Sequence, residues 1–456
     1  MDSRSKMIRI GGGQGFWGDL QTAPIDLVRK GPIDYLTMDY LAELTMSIMH
    51  KQRLRDPQRG FAGDLVALLS QLLPDIAGKN IKVITNGGGA NPAACRDAIL
   101  GAARAAGFRG LRIGAVLGDD ILSRVDNLVH TGIPLDNMES GEGLSLVRDR
   151  LASANVYLGA APIVEALRRG AHIVLTGRTA DASLALAAMM FEFDWPAGDW
   201  NRLAAGIVVG HILECGAQAT GGNFSGDWRS VPDLAHVGFP IAEVLPDASA
   251  VITKHPGTGG IVSAATVKEQ LVYEIGDPAE YVTPDCVADF TSIMLREVAP
   301  DRVEVTGVKG KPATPYYKVS MSYLDGYSAF GTLTYAWPDA LEKARKADEI
   351  LRTRLSDLEL RFDELRTEFL GYDSCFGPLA GKPGDLNEVV LRIGARDRNR
   401  STVERFCREI APLVLTGPPS VTGYAASRPK PSEVMAYWPA LIPKGAVTAE
   451  VSIEEA

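Results

Sequence analysis

Short apolar runs alternate with helically spaced apolar positions through the first 180 residues, and each run ends in glycines or small polar residues. The runs are 7–10, 33–38, 81–84, 111–117, 156–158 and 173–175. Their tips hold Gly13-Gln14-Gly15, Asp39-Tyr40, Asn86-Gly87-Gly88, Gly118-Asp119-Asp120, Gly159-Ala160 and Thr176-Gly177-Arg178. Between them the spacing predicts helices over 22–30, 41–52, 64–73, 93–106, 143–153, 162–169 and 181–190. Nearly continuous apolar strands suit burial on both faces, and strands alternating with helices define βαβ units and a parallel sheet. The expectation for residues 7–200 is therefore a Rossmann-like α/β domain, a doubly wound, mostly parallel sheet whose tips share one carboxyl edge, where ligands bind.

Beyond residue 195 the pattern changes. Helices are expected over 203–217 and 340–367, and strands over 250–253, 303–308, 316–323 and 388–394. Residues 201–444 read as a mixed α/β portion completing the site, either as a second domain or packed as one unit with the first.

Composition narrows the class. The 456 residues are 46% hydrophobic and 23% charged, as in a globular protein. A net charge of −9 opposes nucleic acid or an anionic membrane as partner. No apolar signal core follows the N-terminus, and no apolar stretch approaches the ~20 residues of a membrane span. Five scattered cysteines without a C-x-x-C pair suit reduced thiols. A cytoplasmic, soluble protein is expected, with a symmetric homo-oligomer as its assembly.

Candidate chemistry sits at the tips. Gly13, Gly15 and Gly18 match the G-x-G-x-x-G dinucleotide fingerprint, although Phe16 and Trp17 crowd the place of the pyrophosphate. Gly13, Gln14, Gly15, Phe16 and Trp17 at the first tip, and Asn86, Gly87 and Gly88 at the third, are candidate binding residues, since successive N–H groups before a helix hold anions. Asn91 reads as a helix cap. Arg178 is suited to bidentate contact with a carboxylate or phosphate, with Asp181 beside it. Lys254, Gly257, Thr258 and Gly259 form a further anion-cradle candidate without the ending of a P-loop.

For proton transfer the candidates are Asp39, Asp119, His211 and Glu214. Asp39 and Glu43 lie four apart at a helix start, and His211 and Glu214 share a helical face. Asp277, Tyr281 and Asp285 read as loop or cap residues. No metal site is expected, because no third ligand sits at the right spacing near Asp119-Asp120.

Several of these segments occur together in a known family. Residues 11–19 with Gly-Phe-Trp-Gly-Asp, Asp-Tyr-Leu-Ala-Glu-Leu-Thr at 39–45, residues 85–92 and Thr-Gly-Arg-Thr-Ala-Asp at 176–181 resemble the acyclic terpene utilisation (AtuA-like) family. So do 211–222, 238–244, 253–260 and 417–424, and the resemblance spans about 7–444. It implies catabolism of acyclic terpenes and similar branched acids as coenzyme A thioesters, with coenzyme A entering as part of the substrate. It supplies no catalytic residue set.

The leading expectation is a lyase-, hydratase- or isomerase-type enzyme moving a proton on a small branched carboxylate or acyl-CoA. The alternatives are an accessory subunit of an acyl-CoA pathway without its own catalysis, or an NAD(P)-dependent oxidoreductase.

Overall fold

The computed structural model describes residues 6–423 and 428–456, which leaves Tyr424, the last residue of one motif, outside the described residues. The chain forms two compact units: one runs up to Ser322 and resumes at Tyr437–Ala456, the other is Tyr323–Ala436.

The first unit begins β1 (Ile8–Gln14), α1 (Thr22–Lys30), β2 (Tyr35–Met38), α2 (Glu43–Arg55), α3 (Gly63–Lys79), β3 (Lys82–Thr85), α4 (Pro92–Ala105) and β4 (Arg112–Leu117). It continues through α5 (Val125–His130), β5 (Leu151–Val156), α6 (Ala161–Arg168), β6 (Ile173–Thr176), α7 (Ser183–Phe193), α8 (Trp200–Glu214), β7 (Ile241–Val244), β8 (Ala250–Thr253) and α9 (Ala264–Leu271). Short strands follow: β9 (Tyr281–Val282), β10 (Val287–Asp289), β11 (Met294–Ala299), β12 (Arg302–Thr306) and β13 (Lys309–Lys311). The long β14 (Tyr316–Ala336) leads from the first unit into the second.

The second unit adds α10 (Ala340–Asp357), β15 (Glu364–Leu370), β16 (Glu388–Asp397), α11 (Arg400–Ile410), α12 (Leu413–Thr416), β17 (Val421–Thr422) and the start of β18 (Ser432–Pro443). The last strand, β19 (Glu450–Glu455), belongs to the first unit.

A ten-stranded sheet in the order β11-β12-β8-β7-β1-β2-β3-β6-β4-β19 forms the centre of the first unit. Only the block β1-β2-β3-β6-β4 is parallel; the other five pairings are antiparallel. The expected mostly parallel, doubly wound sheet is thus corrected to a mixed one with a parallel middle. Part of the reason is physical: β7 with β8, and β11 with β12, are joined by short connections, which pair strands antiparallel. Within the parallel block the expectation of two-sided burial holds, for every residue of β2 and β6 is buried.

Two local expectations also change. Residues 143–153 do not form a helix: single turns at Leu144–Leu146 and Arg148–Arg150 lead into β5, which pairs with β14 instead of joining the parallel block. Leu144, Val147 and Leu151 have helical spacing, but β5 is stitched to β14 through Ser153, whose hydroxyl lies 2.5 Å from that of Ser322. The expected division near residue 200 falls between α7 and α8, which pack together inside the first unit. Glycine makes that crossing possible, because a Cβ at Gly210 would strike the carbonyl of Ala182.

The second unit runs β14-α10-β15-β16-α11-β18, the βαββαβ order of ferredoxin-like units. Its sheet order is β15-β16-β14, with β17 and β18 also against β14. Leu341, Ala344, Ala347, Leu351 and Leu355 make the buried stripe of α10, and Val403, Phe406 and Ile410 that of α11. Both stripes cover Leu333, Tyr335, Leu391 and Ile393 of the sheet.

Candidate active site

The carboxyl ends of β2 and β6 and the C-terminal end of α8 meet in the first unit, and each contributes an ionisable side chain. Asp39 follows β2. Its Oδ1 accepts from Asn86 Nδ2 at 2.6 Å and from the Leu41 N–H at 3.0 Å, while Asn86 Oδ1 accepts from the Tyr40 N–H at 2.7 Å. Asn86 therefore fixes the turn that carries Asp39.

Arg178 follows β6 and is 3% exposed. Its Nη1 donates to the Leu41 carbonyl at 2.7 Å, its Nη2 donates to Tyr157 Oη at 3.0 Å, and Nη2 lies 3.6 Å from the Asp181 carboxylate. The Tyr157 ring centre is 4.3 Å from the guanidinium carbon, and Tyr157 in turn donates to Glu43 Oε1 at 2.6 Å. A guanidinium so engaged is a strut of the site. Its two terminal nitrogens are engaged within the protein.

Asp39 and Asp181 both face Arg178, and the charge of Asp39 is near enough to raise the Asp181 carboxyl. Burial pushes both carboxyls up against the pull of Arg178, Asp39 to about 6 and Asp181 well above the usual carboxylate range, where the neighbouring carboxylates add to the effect. Two buried carboxyls beside one cation resist ionising together, so the second proton leaves less readily than from a free carboxyl. Asp181 Oδ1 is buried and unpartnered among the described residues, as are Arg178 Nε and Thr179 Oγ1.

His211 and Glu214 form the second pair. Nδ1 and Oε1 are 2.8 Å apart, although the N–H direction is not that of a hydrogen bond. The His211 ring is 1% exposed and lies 5.4 Å from the rings of both Tyr281 and Phe290. Burial alone would lower the imidazole, but Glu214 outweighs it and the His211 pKa rises; burial raises Glu214 despite His211.

Of these groups Tyr157, Asp181, Glu214 and Tyr281 line a cavity of about 330 Å³, whose wall also includes Lys318. Tyr281 is thus a wall residue and not merely part of a loop. Sequence reasoning missed Tyr157 and Lys318: the first lies in an apolar run and the second in a strand, with nothing in the local pattern to mark either.

Other expected residues lie elsewhere. Asp119 accepts from Asn155 Nδ2 and from the Arg178 N–H, both at 2.8 Å, and His50 Nε2 donates to Asn155 Oδ1 at 2.9 Å. Burial pushes Asp119 up to about 6, yet its contacts make it the brace of the Arg178 turn, and a side chain at Gly177 would collide with it. A Cβ at Gly13 would come within 2.7 Å of Leu36, and one at Gly15 within 2.9 Å of the Cys215 backbone. The first glycine turn therefore admits β2 and the end of α8.

Gln14 Nε2 reaches the Phe16 carbonyl at 3.2 Å, Phe16 is 60% exposed, and Trp17 Nε1 donates to Asp64 at 2.9 Å. Cβ atoms at Gly87 and Gly88 would meet Leu65 at 2.7 Å and the Thr176 carbonyl at 2.6 Å. Lys254 pairs with Asp301 at 3.1 Å, and Gly259 is pressed against the Asp233 carbonyl. Gly257 and Thr258 border a separate cavity of about 390 Å³. Asp285 joins the N–H of Ala160 at 2.9 Å to the Ser183 hydroxyl at 2.6 Å, so it braces the starts of α6 and α7.

Among the described residues no group of three or more His, Cys, Asp or Glu side chains is arranged to hold a metal, and no helix is long and apolar enough to cross a membrane.

The sequence model for a family described as acyclic terpene utilisation family protein AtuA matches residues 8–453. No curated protein matches the chain. Among solved structures, the de novo designed protein Ferredog-Diesel is 20% identical over 24% of this chain and 88% of that one, with a TM-score of 0.16. The crystal structure of S. aureus homoserine dehydrogenase at pH 6.5 is 9% identical over 91% of this chain and 84% of that one, with a TM-score of 0.13. Neither likeness is close enough to inform fold or activity.

Proposed function

The chain belongs to the acyclic terpene utilisation family AtuA, and we propose that it is a catabolic enzyme moving a proton on a small branched carboxylate or acyl thioester. The reaction is a hydration, dehydration or isomerisation. One observation carries the reading: the Asp39–Asp181 pair, buried against Arg178, stands with Asp181 on the wall of a cavity.

In such a pair one carboxyl is ionised while the other keeps its proton, so base and acid are present together near neutral pH. Asp181, the member on the wall, keeps the proton and delivers it to the substrate while Asp39 behind it carries the charge; the proton removed from carbon goes to Glu214, and the electron pair left behind moves toward the carbonyl. Glu214, on the same wall and backed by His211 behind it, is a second proton carrier, so removal and delivery can take place at different carbons. Apolar wall residues such as Met138, Val282 and Leu441 suit a hydrocarbon body.

The test is solvent-deuterium incorporation in D2O, followed by NMR, across short branched acids and their coenzyme A thioesters. Wild-type protein is expected to exchange at least one of them. Asp181→Asn is expected to lower the rate by about 100- to 10,000-fold, the usual contribution of a positioned acid or base, with the urea unfolding midpoint still cooperative. Absence of exchange with every acid and thioester would overturn the reading.

A further inference from the structure

Lys318 is the only basic side chain among the described residues that line the cavity. Its ammonium lies 5.4 Å from the Tyr157 ring centre and 5.5 Å from that of Tyr437. Those faces attract a cation but accept none of its three N–H bonds. Its ammonium makes no hydrogen bond or ion pair among the described residues, although its charge helps to lower the Glu43 carboxyl, and the Tyr437 hydroxyl is buried and unpartnered. By contrast, the Arg178 terminal nitrogens are taken up by Leu41, Tyr157 and Asp181.

We infer that Lys318 receives the carboxylate of a free, non-thioesterified acid whose branched apolar body fills the cavity. The inference rests on the proton-transfer reading of the same site and names its substrate class. Charge decides between acid and thioester. A carboxylate offers an ammonium two anionic acceptors and adds the attraction of opposite charges. A thioester carbonyl offers one neutral oxygen.

Size agrees. At about 30 Å³ per water-sized group, 330 Å³ takes a body of about ten non-hydrogen atoms. With its carboxylate on Lys318, such an acid lies along the same wall as Asp181 and Glu214, the two acids that exchange its protons.

The test measures binding by calorimetry of 3-methylbut-2-enoate, its primary amide and its coenzyme A thioester to wild type, Lys318→Met and Lys318→Arg. The acid is expected to bind wild type best and Lys318→Arg nearly as well. Lys318→Met should lose affinity about 10- to 100-fold, the loss of one hydrogen bond to a charged group, while the amide changes little between wild type and Lys318→Met.

Equal affinity of Lys318→Met and wild type for the acid would overturn the inference. So would preference for the amide or thioester, or binding of none of the three. Deuterium exchange separates this from the wider reading. Exchange into the thioester alone defeats the carboxylate anchor and leaves proton transfer standing. Lysine-dependent binding of the acid without exchange into acid or thioester defeats proton transfer and leaves the anchor.

Discussion

At the scale of single residues, Arg178 changes meaning most between sequence and structure. A planar cation at a sheet tip reads as a ligand clamp, but here it neutralises Asp39, Glu43 and Asp181 from within. Arg178→Met leaves these carboxyls without their cation, and breaking a buried pair from one side costs about 3–5 kcal/mol. Urea unfolding is expected to show that loss whatever ligand is added.

The carboxyl pair also ties stability to pH. Asp39 titrates at about 6 when folded against an ordinary value of 3.8. Between those values the folded state holds a proton that the unfolded state has released, so rising pH favours unfolding. Wild type should therefore lose stability relative to Asp39→Asn as pH is raised from 4 to 6, measured as the difference in urea midpoints across that range.

At the scale of elements, periodicity located what is local and failed where a distant partner decides. Helix α1 and strand β8 lie where the pattern put them, at 22–30 and 250–253. Asn91 caps α4 through a 3.4 Å contact with the Ala94 N–H, and Pro92 opens the helix. Strand β5 was illegible because its pairing with β14 lies more than 150 residues away.

The candidate site was half legible for the same reason. Asp39, Asp181, His211 and Glu214 sit at turns and helix ends that the pattern marks, whereas Tyr157 and Lys318 reach the cavity through strand pairing that it does not. The glycines of β1 show the opposite error, a local motif with a tertiary cause. A Cβ at Gly12 would come within 2.5 Å of the Leu213 carbonyl oxygen, which is backbone and cannot turn aside. Gly12→Ala should cost about 1–3 kcal/mol by overpacking and displace the end of α8 that carries Glu214. Gly18→Ala meets nothing nearby and bears only the strain of φ +105°. Unfolding midpoints of the two variants separate collision from strain.

At the scale of the whole molecule, the first unit is assembled from distant parts of the chain. The cavity draws on residues as far apart as Met138 and Leu441, and the ferredoxin-like unit occupies the sequence between Ser322 and Tyr437. The ten-stranded sheet is completed by β19, which pairs along the whole of β4 from Arg112↔Glu455 to Leu117↔Glu450. That pairing sets a timetable for biosynthesis. At about 5–20 residues per second, a ribosome that has made β4 takes roughly 15–70 seconds to reach β19. Throughout that interval the nascent chain carries an unpaired strand edge, the kind of surface that templates aggregation. A message truncated just before β19 would leave β4 as the edge of the sheet, one strand short of the full order.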